Sequence, residues 1–173
     1  MNYFKIKKYD IANGKGIRTS LFVSGCTFHC KGCFNSEAWD FKSGKLFDDN
    51  AKKELFKLLS DPHCVGLSVL GGEPLMQGQD LLDLLREVKE AFPDKNIWLW
   101  TGFYINELND LQTQIISLVD YVVDGRFEEN NALKKYLFRG SSNQTIWEKD
   151  EKGNFVRSKY NDIYNIQTKV EEI

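Results

Sequence analysis

The chain has 173 residues, of which 42% are hydrophobic and 28% charged, enough for one packed domain and short for two. An aromatic content of 13% excludes an intrinsically disordered chain. The formal net charge of -2 supplies no bulk positive field, so neither nucleic acid nor an anionic membrane is an expected partner.

Residues 1–10 mix charged and aromatic side chains and lack the apolar centre of a signal peptide. No run approaches the ~18 apolar residues of a membrane span. The expected location is the cytoplasm. Thiols stay reduced there, so closely spaced cysteines point to metal or catalysis before disulfides. No repeat, low-complexity run or Pro/Gly/Ser-rich linker divides the chain. A single domain over 1–173 is expected, with short flexible tracts at 148–154 and in a polar C-terminal tail from about 149.

In chain order, the β-branched run TSLFVS predicts a first strand over 19–24. A helix is predicted from 48 or 49 to 59, capped by an aspartate, with Ala51, Leu55, Leu58 and Leu59 on its buried stripe. A second strand follows over 65–70. A helix over 80–92 places Leu81, Leu84, Leu85 and Val88 on one face, and Pro93 stops it. A third strand over 96–100 puts Trp98 and Trp100 on one face, in the core. A helix over 105–118 and a fourth strand over 121–123 complete the pattern.

Strands alternating with helices predict an α/β fold with a mostly parallel sheet and right-handed crossovers. A closed eight-stranded barrel takes about 250 residues, so a partial, open (β/α) barrel is expected. Ligands in such sheets bind at the carboxyl ends of the strands. The unusual residues do follow the strands: SGCTFHCKGC after the first, GGEP after the second, TGF after the third and DGRF after the fourth.

Cys26, Cys30 and Cys33 form a C-x3-C-x2-C loop. Their thiolates converge only if the loop curls around a common object, and soft sulfur suits an iron–sulfur cluster or zinc. Three cysteines leave one iron of a [4Fe–4S] cube without a protein ligand, as a reactive centre needs. The alternative is a zinc-stabilised binding module with His29 or His63 as fourth ligand. Cys64 reads as a small hydrophobe at the start of the second strand.

Gly71-Gly72-Glu73-Pro74 offers close backbone approach to a ligand and a carboxylate for an ammonium group; the alternative is an ordinary turn. Thr101-Gly102 and Asp124-Gly125 read either as site lining or as caps and turns. Arg18 and Arg126 are candidates for carboxylate or partner contacts, or solvated arginines. Gly14 and Gly16 are too little to specify a phosphate site.

The cysteine loop followed by GGEP resembles the radical S-adenosylmethionine superfamily. The lead-in NGKGIRTSLFVSGC, the continuation CFNSEAW and the later WLWTGF, VDGRF and LFRGSSNQTIW resemble its glycyl-radical activating enzymes, in the branch serving anaerobic ribonucleoside-triphosphate reductase. The resemblance covers residues 3 to 148. It implies a radical SAM fold and a [4Fe–4S] cluster on Cys26, Cys30 and Cys33. It implies an open iron that binds S-adenosylmethionine, and cleavage to a 5′-deoxyadenosyl radical that takes hydrogen from a reductase glycine. It further implies cofactor contacts from Gly32, Cys33, Phe34, Gly71, Gly72, Glu73 and Thr101, and a flavodoxin-type electron donor. Many superfamily members carry an aromatic residue just before the third cysteine; here Gly32 stands there and Phe34 follows. A radical enzyme acting on a small molecule is the enzymatic alternative, and RGSSNQ together with the lack of an extra substrate domain favours the activase.

Overall fold

Four strands with apolar, β-branched interiors form the centre of the molecule: β2 (Arg18–Val23), β4 (Gly66–Gly71), β5 (Asn96–Trp100) and β6 (Tyr121–Asp124). A computed structural model describes residues 1–134 and 137–163. In it these strands pair in parallel in that order, Leu21 opposite Val69 and Val69 opposite Leu99. Three helices make the crossovers: α1 (Asp49–Leu59), α2 (Gln79–Ala91) and α3 (Asp110–Ser117). The Asp48 side chain caps α1 by accepting from the Ala51 N–H at 2.9 Å. α3 starts later than the periodicity suggests. Asn109 and Gln112 form a capping box there, and residues 105–109 stay outside the helix.

The sheet is not the expected one. It has eight strands in the order β3-β1-β2-β4-β5-β6-β7-β8, with β1 (Asn2–Asp10), β3 (Lys45–Leu46), β7 (Thr145–Lys149) and β8 (Phe155–Arg157) on its flanks. Every flanking pair is antiparallel. The mostly parallel, partial (β/α) barrel of radical SAM type is therefore corrected to an open mixed sheet with, among the described residues, three α-helices. For two of these pairs the physical reason is that antiparallel neighbours need only short returns. β1 reaches β2 through residues 11–17. β7 reaches β8 through a turn in which the Asp150 carboxylate accepts from the Lys152 and Asn154 N–H groups. The part of the polar tail at 164–173 lies outside the described residues. Among the described residues no helix is long and apolar enough to cross a membrane.

Alternation sorts the central strands into two faces. Leu21, Leu67, Val69, Ile97, Leu99 and Val122 pack against Leu55, Leu59, Leu81, Leu85 and Ile115 of the helices. The opposite face carries Arg18, Ser20, Ser68, Trp98 and Trp100. Trp98 is buried with Val123, Ile146 and Tyr160 and stacks on Tyr121 at 4.3 Å. Residues 11–17 fold across the amino-terminal end of this face. They are held by two buried charged groups. Arg18 is 0% exposed; its guanidinium donates to Ser68 Oγ, Asn96 Oδ1 and the carbonyls of Lys15, Leu67 and Asn96 at 2.7–3.1 Å. Burial pulls it down to about 10, so it stays charged at neutral pH. Asp10 accepts from Ser20, Asn13, Ala12 and Lys7. Arg18 is thus neither a partner contact nor solvated.

Candidate functional site

The carboxyl ends of the four parallel strands border a cleft of about 380 Å³. Its first wall is the loop after β2. Gly25 N–H donates to the Ala38 carbonyl at 2.7 Å and Cys26 N–H to the Trp39 carbonyl at 2.9 Å, closing residues 25–39 on themselves. Inside, Cys33 N–H bonds the Cys30 carbonyl at 3.1 Å. The His29 ring stacks on Trp39, 4.5 Å between centroids.

All three sulfurs line the cleft and are half-buried. Each meets main-chain N–H groups. Burial pushes the Cys26 thiol up, against hydrogen bonds from the Phe28 and His29 backbone that favour thiolate. Burial likewise raises Cys30, opposed by the Phe127 backbone and the Arg126 charge. Asn35 N–H lies 3.4 Å from Cys33 Sγ. Such N–H···S contacts are a lever by which proteins hold and tune iron–sulfur clusters. The donor set is three soft thiols on one cleft, with no fourth cysteine or histidine lining it among the described residues, and it fits a [4Fe–4S] cluster.

The zinc alternative fits less well. His63 precedes β4 and so sits at the amino-terminal end of the parallel strands, opposite the cysteines; its ring bonds Asp61. His29 is occupied with Trp39. Among the described residues no group of three or more His, Cys, Asp or Glu is placed to hold a single metal ion.

The second wall is GGEP. Gly72 N–H donates to Val23 O at 2.7 Å and Glu73 N–H to Gly25 O at 2.8 Å. A Cβ on Gly72 would lie 2.6 Å from Gly25 O, so only glycine lets this segment lie against the cysteine loop. The close approach is to the protein's own backbone. Gly71 lines the cleft with Gly72.

Glu73 is 2% exposed. Its Oε1 accepts from Leu75 N–H at 2.9 Å and Thr101 Oγ1 at 2.7 Å, and Oε2 accepts from Gly102 N–H at 2.7 Å. The carboxylate therefore buckles the end of β4 to the end of β5. Burial pushes its pKa up to about 7, against these three hydrogen bonds. Thr101 lines the cleft beside it.

Phe34 lines the mouth, 76% exposed, its ring 5.1 Å from that of Phe127. Gly32 does not line the cleft; its Cα faces the Glu129 carboxylate.

Phe28 and Trp100 escaped the sequence reading as cleft residues. Phe28 covers Gly102 and packs on Phe103 at 4.8 Å, with the Arg126 guanidinium 4.4 Å above its ring. Trp100 lines the cleft, its indole N–H held by the Phe138 carbonyl. The segment 139–144 forms the far wall through Arg139, Gly140 and Gln144. An aromatic residue inside the cysteine loop and the phenylalanine closing DGRF were the available signals.

Residues 12–147 match the family described as a 4Fe-4S single cluster domain. Over 150 residues the chain is 41% identical to the anaerobic ribonucleoside-triphosphate reductase-activating protein of Haemophilus influenzae, covering 84% of this chain and 97% of that protein. It is 42% identical over 149 residues to the protein of the same name from Enterobacteria phage T4, covering 85% of this chain and 94% of that one. With its namesake from Escherichia coli K12 it shares 38% over 150 residues, 84% of this chain and 97% of that protein.

Proposed function

This chain belongs to the family of anaerobic ribonucleoside-triphosphate reductase-activating proteins, and on that premise we propose that it activates such a reductase by generating a glycyl radical on it. The observation that carries the reading is the meeting of three thiols, at C-x3-C-x2-C spacing, with the ends of four parallel strands around one cleft.

Cys26, Cys30 and Cys33 hold a [4Fe–4S] cluster. When bound and reduced by a flavodoxin-type donor, such a cluster would supply the one electron needed to cleave S-adenosylmethionine to methionine and a 5′-deoxyadenosyl radical, the species that would remove hydrogen from a reductase glycine Cα. The protein contributes placement and exclusion of water. Gly71 and Gly72 hold their strand end against the cysteine loop. Glu73 and Thr101 fix the adjoining strand end, so the two walls keep their separation. Phe34 and Phe127 offer ring faces to the adenine at the mouth.

Anaerobic reconstitution with iron and sulfide tests this reading. The expected result is a brown protein whose reduced form gives a paramagnetic signal that S-adenosylmethionine perturbs, with 5′-deoxyadenosine released. Cys30→Ala is expected to abolish both cluster and product. A wild-type chain that keeps stoichiometric zinc and takes up no iron overturns the reading.

A further inference from the structure

The parallel register sets three apolar side chains in one row across the cleft-facing side of the sheet. Phe22 pairs with Leu70, and Trp100 follows Leu99, the partner of Val69, so it stands next to Leu70. All three line the cleft, one residue before its Gly71 and Thr101 walls. The next row inward, Ser20, Ser68 and Trp98, is buried. There Ser68 Oγ accepts from Arg18 and donates to the Asn13 carbonyl, and Ser20 donates to Asp10. Phe22, Leu70 and Trp100 are therefore the floor of the cleft.

The floor is rigid. Trp100 stacks on the buried Trp98, 5.6 Å between ring centroids, and its indole N–H donates to the Phe138 carbonyl at 2.8 Å. Phe138 also lines the cleft, and its ring meets the same Trp98 edge-on at 5.1 Å. It does so with a φ of 64°, a left-handed backbone that is costly for an aromatic residue. Rings fixed in this way can receive an apolar group with little further loss of side-chain freedom.

We propose that Phe22, Leu70 and Trp100, with Phe138, form a specificity subsite for the protein substrate, taking a large aliphatic or aromatic side chain that stands beside the target glycine. This rests on the glycyl-radical reading proposed above. A glycine has no side chain by which it can be chosen. Adjacent Cα atoms are about 3.8 Å apart, so a segment that brings its glycine into the cleft brings the neighbouring side chains with it. These neighbours are what the cleft can read, and an uncharged floor of rings and one leucine selects apolar ones.

Phe22→Ala shortens the floor and removes no hydrogen bond; Trp100→Phe keeps a ring and is the conservative second variant. Each would be loaded with cluster and S-adenosylmethionine and left unreduced, so that nothing turns over. Each is then titrated calorimetrically with an anaerobic ribonucleoside-triphosphate reductase, and with reductase variants in which each large apolar neighbour of the target glycine is replaced by alanine in turn. The expected result is a reductase dissociation constant raised about fivefold by loss of floor contact, with iron content and S-adenosylmethionine affinity as in wild type. One reductase replacement is expected to weaken binding to the wild-type chain but to add nothing in Phe22→Ala, the non-additivity of groups in contact. Wild-type reductase affinity in both chain variants, or full additivity at every neighbour, overturns the inference and leaves the activating role intact. So does a loss of S-adenosylmethionine affinity with reductase affinity retained, which would give the floor to the cofactor. A wild-type chain that neither binds the reductase nor makes a glycyl radical on it overturns both.

Discussion

The two ends of the central parallel strands are built in opposite ways. At the amino-terminal end, Arg18 and Asp10 are both 0% exposed; hydroxyls, amides and carbonyls hold them in fixed directions, with Lys7 also paired to Asp10. At the carboxyl end, three cysteines, Phe127 and a 76% exposed Phe34 stand around an open cleft. Both ends carry an arginine beside an aromatic ring: Arg18 lies 5.8 Å from Trp98 and Arg126 lies 4.4 Å from Phe28. The first is locked into the fold, and the second is exposed, over a ring of the cysteine loop. Residue type therefore does not separate scaffold from site here; burial and the number of fixed partners do.

That contrast breaks if the amino-terminal end tolerates change. Arg18→Met would leave three carbonyls, Ser68 and the Asn96 amide without their donor. It is expected to cost about 3–4 kcal/mol, read as a lowered urea midpoint in the metal-free protein. A loss below about 1 kcal/mol would mean that the network is dispensable.

A somewhat smaller effect is expected at Asp10. Burial would raise its carboxyl, but bonds from Ser20, Asn13, Ala12 and Lys7 outweigh that and hold it at about 2, below the ordinary 3.8. A lowered folded-state pKa contributes stability above pH 3.8 that disappears as pH falls through about 2. Asp10→Asn is therefore expected to lose about 2 kcal/mol at neutral pH, and its unfolding free energy should fall less steeply than that of wild type between those pH values. Parallel acid limbs in the two proteins would refute the role.

The smallest stability effect belongs to the open end. Phe34→Ala is expected to change stability by no more than about 0.5 kcal/mol. It should weaken S-adenosylmethionine binding about fivefold, the equivalent of about 1 kcal/mol of stacking. Calorimetric titration of the reconstituted variant checks this, and an unchanged dissociation constant would remove Phe34 from the site.

The sequence makes the centre of the fold legible because its strands are apolar runs bounded by helices with capping residues. The strand over 96–100 coincides with β5, and the others shift by a residue or so at their ends. The flanks were not legible in the same way. β1 mixes aromatic residues and lysines without a strict alternation and is interrupted by two register shifts, and β8 has three residues. Neither shows the long clean period that marks a strand, and missing them turned a mixed sheet into an expected parallel one. In the candidate site, the cysteines and GGEP announce themselves by spacing and by strand ends. Arg18 does not, because its partners lie 50 and 78 positions away.

The proposed activity is the making of a glycyl radical on the reductase through a cluster on Cys26, Cys30 and Cys33. The most direct test mixes the reconstituted, reduced protein with S-adenosylmethionine and an anaerobic ribonucleoside-triphosphate reductase, and records the electron paramagnetic resonance spectrum. A glycyl radical signal with the wild-type chain, absent with Cys30→Ala, is the predicted result. A cluster-loaded wild-type chain that yields no radical, or a Cys30→Ala chain that yields a full one, would contradict it.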